Sequence, residues 1–168
     1  MGSHGFWCFI DSYFQFYNNK EKNGLKMQDF CIIVHSFSKM KLIDCQNFKI
    51  LVSQKLFRIV MDEKIGIKHI NFLDFSQILS TTNFLGLKYC ENDDFWQTLI
   101  QCLILKFEQE SKINPATLVA IIHNLSQIGI SRVINPSIWE HLDSSFEENF
   151  SLIEKDQKSF FICLRVFN

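Results

Sequence analysis

This chain has almost no proline, little alanine and few arginines. Pro115 and Pro136 are its only prolines. Ala116 and Ala120 are its only alanines, and Arg58, Arg132 and Arg165 its only arginines. So few prolines rule out a polyproline linker or a Pro-rich disordered segment. No apolar run approaches the roughly 18 residues that a membrane-spanning helix needs. The best stretch, Thr98 to Phe107, is interrupted by Gln101 and Lys106. The N-terminus reads as neither a secretory signal nor an Arg-rich transit peptide. No C-x-x-C, EF-hand loop, Gly-rich phosphate loop or nucleophile elbow occurs. The six cysteines are Cys8, Cys31, Cys45, Cys90, Cys102 and Cys163. Without zinc-like pairing they read as small buried hydrophobes in a reducing compartment. No catalytic residue, cofactor site or metal site is indicated, and the expectation is that the chain is not an enzyme.

What is present is apolar: hydrophobic residues make up 47% of 168 residues, and 18 of them are Phe. That supports a sizeable core. The net charge of −1 conceals an asymmetry. Residues 1–88 hold 11 Lys or Arg against 7 Asp or Glu, and residues 89–168 hold 6 against 11. A uniform polyanion-binding surface is excluded; a local one is not. The abundance of Phe, Lys, Asn and Ile, with little Ala or Arg, points to an A+T-rich gene.

All three Trp share a frame. NDDFWQTL (Asn92 to Leu99) and NPSIWEHL (Asn135 to Leu142) match, and SHGFWCFI (Ser3 to Ile10) follows with Ser, Trp and Ile in the same places. Trp96 and Trp139 lie 43 residues apart. The same offset maps Asn71 onto Asn114, Ile78 onto Ile121, Leu79 onto Ile122, Gly86 onto Gly129, Leu99 onto Leu142 and Phe107 onto Phe150. No gap is needed, and the period suits paired-helix repeats.

Each unit carries two apolar stripes at helical spacing. The first, type A, runs Phe75, Ile78, Leu79, Thr82, Leu85, and again Leu118, Ile121, Ile122, Leu125, Ile128. The second, type B, runs Trp96, Leu99, Leu103, Phe107, and again Trp139, Leu142, Phe146, Phe150. Asn71, Asn92, Asn114 and Asn135 are the expected N-caps, two of them followed by Pro at the first helical position. Ile70 and Ile113 stand where a hydrophobic staple would close. Gly86 and Gly129 are expected left-handed terminators. Looser copies place an A helix around Phe30 to Met40, a B helix after Asp44, a B helix after Ser3 and an A helix after Asp156. The expected fold is all-α: a right-handed stack of antiparallel helix pairs, an α-solenoid of about eight helices. It forms one domain, 1–168, with pairs near 4–41, 45–87, 93–130 and 136–168.

Candidate functional residues are few. His35 and His123 share a repeat position, which makes them spaced consensus residues rather than a ligand pair. His4, His69 and His141 have no Cys or acidic ligand at metal spacing. Glu91, Asp93 and Asp94 cluster at a helix start; a divalent-cation site is one reading, and acids that complement the helix dipole are the stronger one. Lys39, Lys41, Lys49, Lys55, Arg58, Lys64 and Lys68 form a basic group that would suit phosphate contact, or an ordinary solvated face. Phe6, Phe9, Tyr13 and Phe16, on a first helix apolar over half its circumference, are candidates for a partner interface, as is Phe167 at the other end.

The A pattern L-x-x-I-I-x-x-L-S-x-I-G (Leu118 to Gly129), followed by a B helix that opens apolar-Trp-x-x-Leu, resembles the heptatricopeptide and octotricopeptide repeats of organellar RNA-binding proteins. That group includes the FASTK-like and RAP-domain proteins. The resemblance covers nearly the whole chain, best from Ile70 to Phe150, with a longer period here and no RAP domain. It implies mitochondrial localisation and a role in organellar RNA metabolism, most plausibly as a structural protein of the mitochondrial ribosome touching rRNA and neighbouring proteins. The alternative is a HEAT- or armadillo-like protein–protein adaptor, or an accessory subunit of another large complex, without RNA contact.

Overall fold

The computed structural model describes residues 70–110 and 112–156, together with Ile32, Ser36, Ser53, Gln54, Leu56, Phe57, Val60, Ser159, Phe161, Ile162 and Val166. Among these residues the secondary structure is helix and turn, with no strand. Four helices are delimited at both ends: α1 (Phe72–Phe84), α2 (Asp94–Gln109), α3 (Pro115–Ile128) and α4 (Pro136–Ile153). The isolated described positions at both ends of the chain, Ile32 to Val60 and Ser159 to Val166, are helical too.

Three of the four helix starts are set by asparagine. Asn71 caps α1 in a full capping box. Its Oδ1 accepts from the Asp74 N–H at 2.9 Å, and Asp74 Oδ2 accepts from the Asn71 N–H at 3.0 Å. Asn114 caps α3 by accepting from the N–H groups of Ala116 and Thr117. Asn135 caps α4 by accepting from Ile138 at 3.2 Å. Pro115 and Pro136 take the first turn of their helices, where a missing N–H costs nothing. The cap of α2 differs from the expectation. It is Asp93, not Asn92, and its carboxylate accepts from the Phe95 N–H at 2.9 Å. Asn92, Asp93 and Asp94 are all competent caps. The α4 copy has Pro136 where α2 has Asp93, so its helix must start right after Asn135, while α2 starts one residue later in the repeat.

The A helices end alike. After α1, Gly86 takes φ 73°, and the Leu87 N–H reaches back to the Thr82 carbonyl at 3.0 Å. After α3, Gly129 takes φ 101°, and the Ile130 N–H reaches the Leu125 carbonyl at 2.9 Å. This six-to-one closure needs a left-handed residue, which Gly adopts without a Cβ penalty. A Cβ built on Gly129 meets nothing within 4 Å. Gly129→Ala is therefore expected to lose about 1–2 kcal/mol through backbone strain alone, read as a lower urea midpoint with an unchanged slope.

Most residues of the stripes are buried together in one core. Phe75, Ile78, Leu118, Ile121, Ile122, Leu125, Ile138 and Leu142 are each 0% exposed. Trp96 and Trp139, a repeat apart, are both in that core, as are Leu99 and Leu103. Each such aliphatic side chain contributes roughly 1.5–3 kcal/mol by leaving water. α1 packs against α2 and α3; α4 packs against α2 and α3. Like thus lies beside like: A helix α1 on A helix α3, B helix α2 on B helix α4. Leu56 and Val60, from the helical positions before α1, join the same core, and the Phe57 ring stacks on Phe95 at 6.0 Å.

Polar links tie successive repeats. The Tyr89 N–H donates to the Ile128 carbonyl at 3.0 Å, joining the loop after α1 to the end of α3. Lys88 Nζ donates to the Gln127 carbonyl beside it. Inside the α1–α3 contact, Asn83 Nδ2 donates to Asn124 Oδ1 at 3.2 Å, and Asn124 Nδ2 donates to the Ala120 carbonyl at 2.8 Å. Buried Asn124 is thereby used as both donor and acceptor, as a buried amide requires.

Candidate interaction surfaces

The basic candidates Lys39, Lys41, Lys49, Lys55, Arg58, Lys64 and Lys68 lie outside the described residues, as do Phe6, Phe9, Tyr13, Phe16 and Phe167. The described part presents other surfaces. Two acids of its cluster serve α2: Asp93 caps the helix and Asp94 sits in the first turn, while Glu91 contributes its backbone carbonyl, which accepts from Gln97 Nε2 at 2.9 Å. Burial, helped by neighbouring Glu91 and Cys90, raises the Tyr89 phenol above its ordinary range, so it stays neutral. His123 is half-buried on α3. His141 lies flat on the Phe107 ring, centroids 5.9 Å apart and planes within 7°, which makes it a packing residue between α2 and α4. Among the described residues no group of three or more His, Cys, Asp or Glu stands together as a metal site. No described helix is long and apolar enough to cross a membrane.

The two described cysteines divide by position, and the other four lie outside the described residues. Cys102 is buried on α2, as its place in an apolar stripe implies; Cys90 is exposed in the turn region before α2. Sequence position in a loop, not residue type, decides that difference.

The loop between α3 and α4 carries a defined polar device. The Arg132 guanidinium forms a two-pronged ion pair with the Asp143 carboxylate. The same guanidinium lies over the Trp139 ring, 5.3 Å from its centroid. An arginine that stacks and pairs at once is locked in place. Beside it Val133 is 93% exposed and Ile134 46%.

The largest departure from the expected burial is on α4. Phe107 of the α2 stripe is 9% exposed, while its repeat counterpart Phe150 is 42% exposed. Phe146 is only partly buried and meets Phe150 edge-on, centroids 5.8 Å apart. Phe107 is covered by Phe72, at 4.7 Å between centroids, and by His141. Among the described residues nothing covers Phe150 in the same way. The periodicity places both residues on the stripe; it carries no information about which stripe has a neighbour.

The chain matches no family model, no curated protein and no solved structure. The functional reading therefore rests on its own residues and on the resemblance that their pattern carries.

Proposed function

We propose that this chain is a non-catalytic helical-repeat scaffold. It is a right-handed α-solenoid of about eight helices in four antiparallel pairs, a structural part of a mitochondrial ribonucleoprotein and in the first place of the mitochondrial ribosome. One observation supports the scaffold reading above the rest. Positions 43 residues apart do the same packing work, as Ile78 and Ile121 or Leu99 and Leu142 do in the shared core, and A helices pack on A and B on B. Stacked repeats of this kind offer extended surfaces rather than one deep site. The mitochondrial ribonucleoprotein setting draws on the resemblance carried by Leu118 to Gly129 and the Trp-x-x-Leu opening of the B helices. In it, Lys39 to Lys68 would meet phosphate and the acidic half would meet protein.

The second reading, a protein–protein adaptor without RNA, is favoured by one feature: α4 has Glu140, Asp143, Glu147 and Glu148 and no Lys or Arg. Ultraviolet crosslinking of the assembly that contains the chain separates the two. RNA-linked peptides spanning Lys39 to Lys68, with release at moderate salt, are the expected outcome, because phosphate contacts weaken as counterions compete. Protein crosslinks alone, with salt-resistant association, would replace the ribonucleoprotein reading by the adaptor. Fractionation that places the chain outside mitochondria would remove the compartment from the proposal.

A further inference from the structure

The B helices meet one another in a repeating way. α2 receives α4 through Phe107, whose ring lies on His141. On another side of α2, Phe95 stacks on Phe57, from the helical positions before α1. At 3.6 residues per turn, Ile100, Ile104 and Phe107 share an arc of about 60°, and Phe95 lies about 120° or more away. That arc is the receiving flank of a B helix. On α2 it is apolar and covered: Ile100 is 5% exposed, Phe107 9%, and Ile104 packs against the core.

The 43-residue offset carries the same arc onto α4 with different residues. Ile100 becomes Asp143, Ile104 becomes Glu147, and Phe107 is matched by Phe150. Glu154, the C-cap residue, falls in the same arc one turn beyond Phe150. Glu147 and Glu154 are exposed, and neither pairs with a described cation. The change is confined to this flank. On the core side Trp96 and Leu99 recur as Trp139 and Leu142, all buried. Asp143 is also held in place. Arg132 pairs with it and lies over Trp139, where the preceding repeat sets Tyr89 beside Trp96. An apolar helix laid on this flank would bury the Glu147 carboxylate unpaired and desolvate the Arg132–Asp143 pair, and both cost free energy.

We propose that α4 is a built end to the B layer. Asp143, Glu147 and Glu154 on its receiving flank, with Arg132 fixed across Asp143, stop a second copy of this chain from stacking there. The polar outer face of a terminal repeat does this in stacked arrays, where an apolar one would let open ends add to each other. The proposal rests on the scaffold reading and deepens it. It does not depend on the compartment or on RNA contact through Lys39 to Lys68, so loss of those crosslinks leaves it standing. Its own failure, in turn, leaves the packing of α1 to α4 untouched.

The test uses the full chain in analytical ultracentrifugation. The double variant Asp143→Ile with Glu147→Ile gives α4 the two apolar residues of α2. It is expected to self-associate at least about tenfold more tightly than the unaltered chain, a change read directly as a dissociation constant. Adding Phe150→Lys to the double variant should return it to the unaltered behaviour, which a misfolded aggregate would not do. Circular dichroism checks that the helices persist. Should the double variant lose helix, Glu147→Ile alone, at an exposed position with the Arg132–Asp143 pair intact, carries the test in the same direction. A helical variant that associates no more than the unaltered chain overturns the proposal, as does association that survives Phe150→Lys. Self-association of the unaltered chain that Phe150→Lys abolishes also overturns it, since the flank then already receives a second copy.

Discussion

Trp139→Ala is expected to cost about 3–5 kcal/mol, the range for truncating a large buried aromatic. Urea unfolding followed by far-ultraviolet circular dichroism reads it directly. Three contributions converge there. The ring is 4% exposed within the core. Its Nε1 donates to the Ile130 carbonyl at 3.3 Å, fixing the turn that leaves α3. Its face carries the Arg132 guanidinium that also holds Asp143. Trp139→Phe separates these parts. It keeps most of the apolar area but leaves a buried carbonyl without its donor, so about 1–3 kcal/mol should be lost. Equal losses for the Phe and Ala variants would show that the hydrogen bond, not burial, carries the site. Trp96→Ala should match Trp139→Ala within the same range, because Trp96 is 2% exposed and meets Phe95 and Tyr89 by ring contacts instead. A loss at Trp96 much smaller than at Trp139 would argue against equivalent roles for the two B helices.

The helices between Asn71 and Ile153 were legible because local signals and periodicity agreed. Asn-Pro at Asn114 and Asn135, an Asn before an apolar run at Asn71, and Gly at the end of each A stripe mark the starts and stops where they occur. The stripes then told which side turns inward, and most of those side chains are the core, Phe146 and Phe150 of α4 excepted. The one misplaced cap, Asn92, follows from copying a register across a repeat whose two members differ by a proline. Three adjacent cap-competent residues made the local signal ambiguous, and the helix took the second.

Exposure is less legible than helix position, for a physical reason. A repeat makes equivalent positions look alike in sequence, but exposure depends on neighbours that sequence spacing does not supply. Phe107 and Phe150 are both Phe in the same frame, and one is covered while the other is not. The sequence candidates for interaction are the basic group Lys39 to Lys68, the broad apolar face of the first helix and Phe167, and all of them lie outside the described residues. The Phe150 flank was hidden inside a stripe read as core. The available signal was the charge beside it: Glu147 and Glu154 next to a core position are unusual for a fully covered stripe. By contrast, Glu108 and Glu110, after Phe107, fall at the end of α2, and Glu110 is paired with Lys106.

Ile121→Ala is expected to lose about 2–5 kcal/mol, and Ile121→Val about 0.5–1.5 kcal/mol, since each removed methyl or methylene leaves a void in a close-packed contact. Ile121 is 0% exposed on α3, the helix that packs on both α1 and α4. The spread between the two variants measures how far the neighbours can collapse into the space. α1 has little room to move, because eight of its thirteen residues are buried, including Asp74, Ser76, Thr81 and Thr82. Two of those hydroxyls are committed within the helix, Ser76 to the Leu73 carbonyl and Thr82 to the Leu79 carbonyl, each at 2.8 Å. A shift of α1 would also break the Asn83–Asn124 bond. The Ala variant should therefore fall in the upper part of its range. Because α1 and α3 share one core and are bridged at Asn124, native-state hydrogen exchange should speed up together in both helices. Faster exchange confined to α3, with α1 protection unchanged, would mean that the two helices open separately and that the repeat units are not bound into one cooperative block.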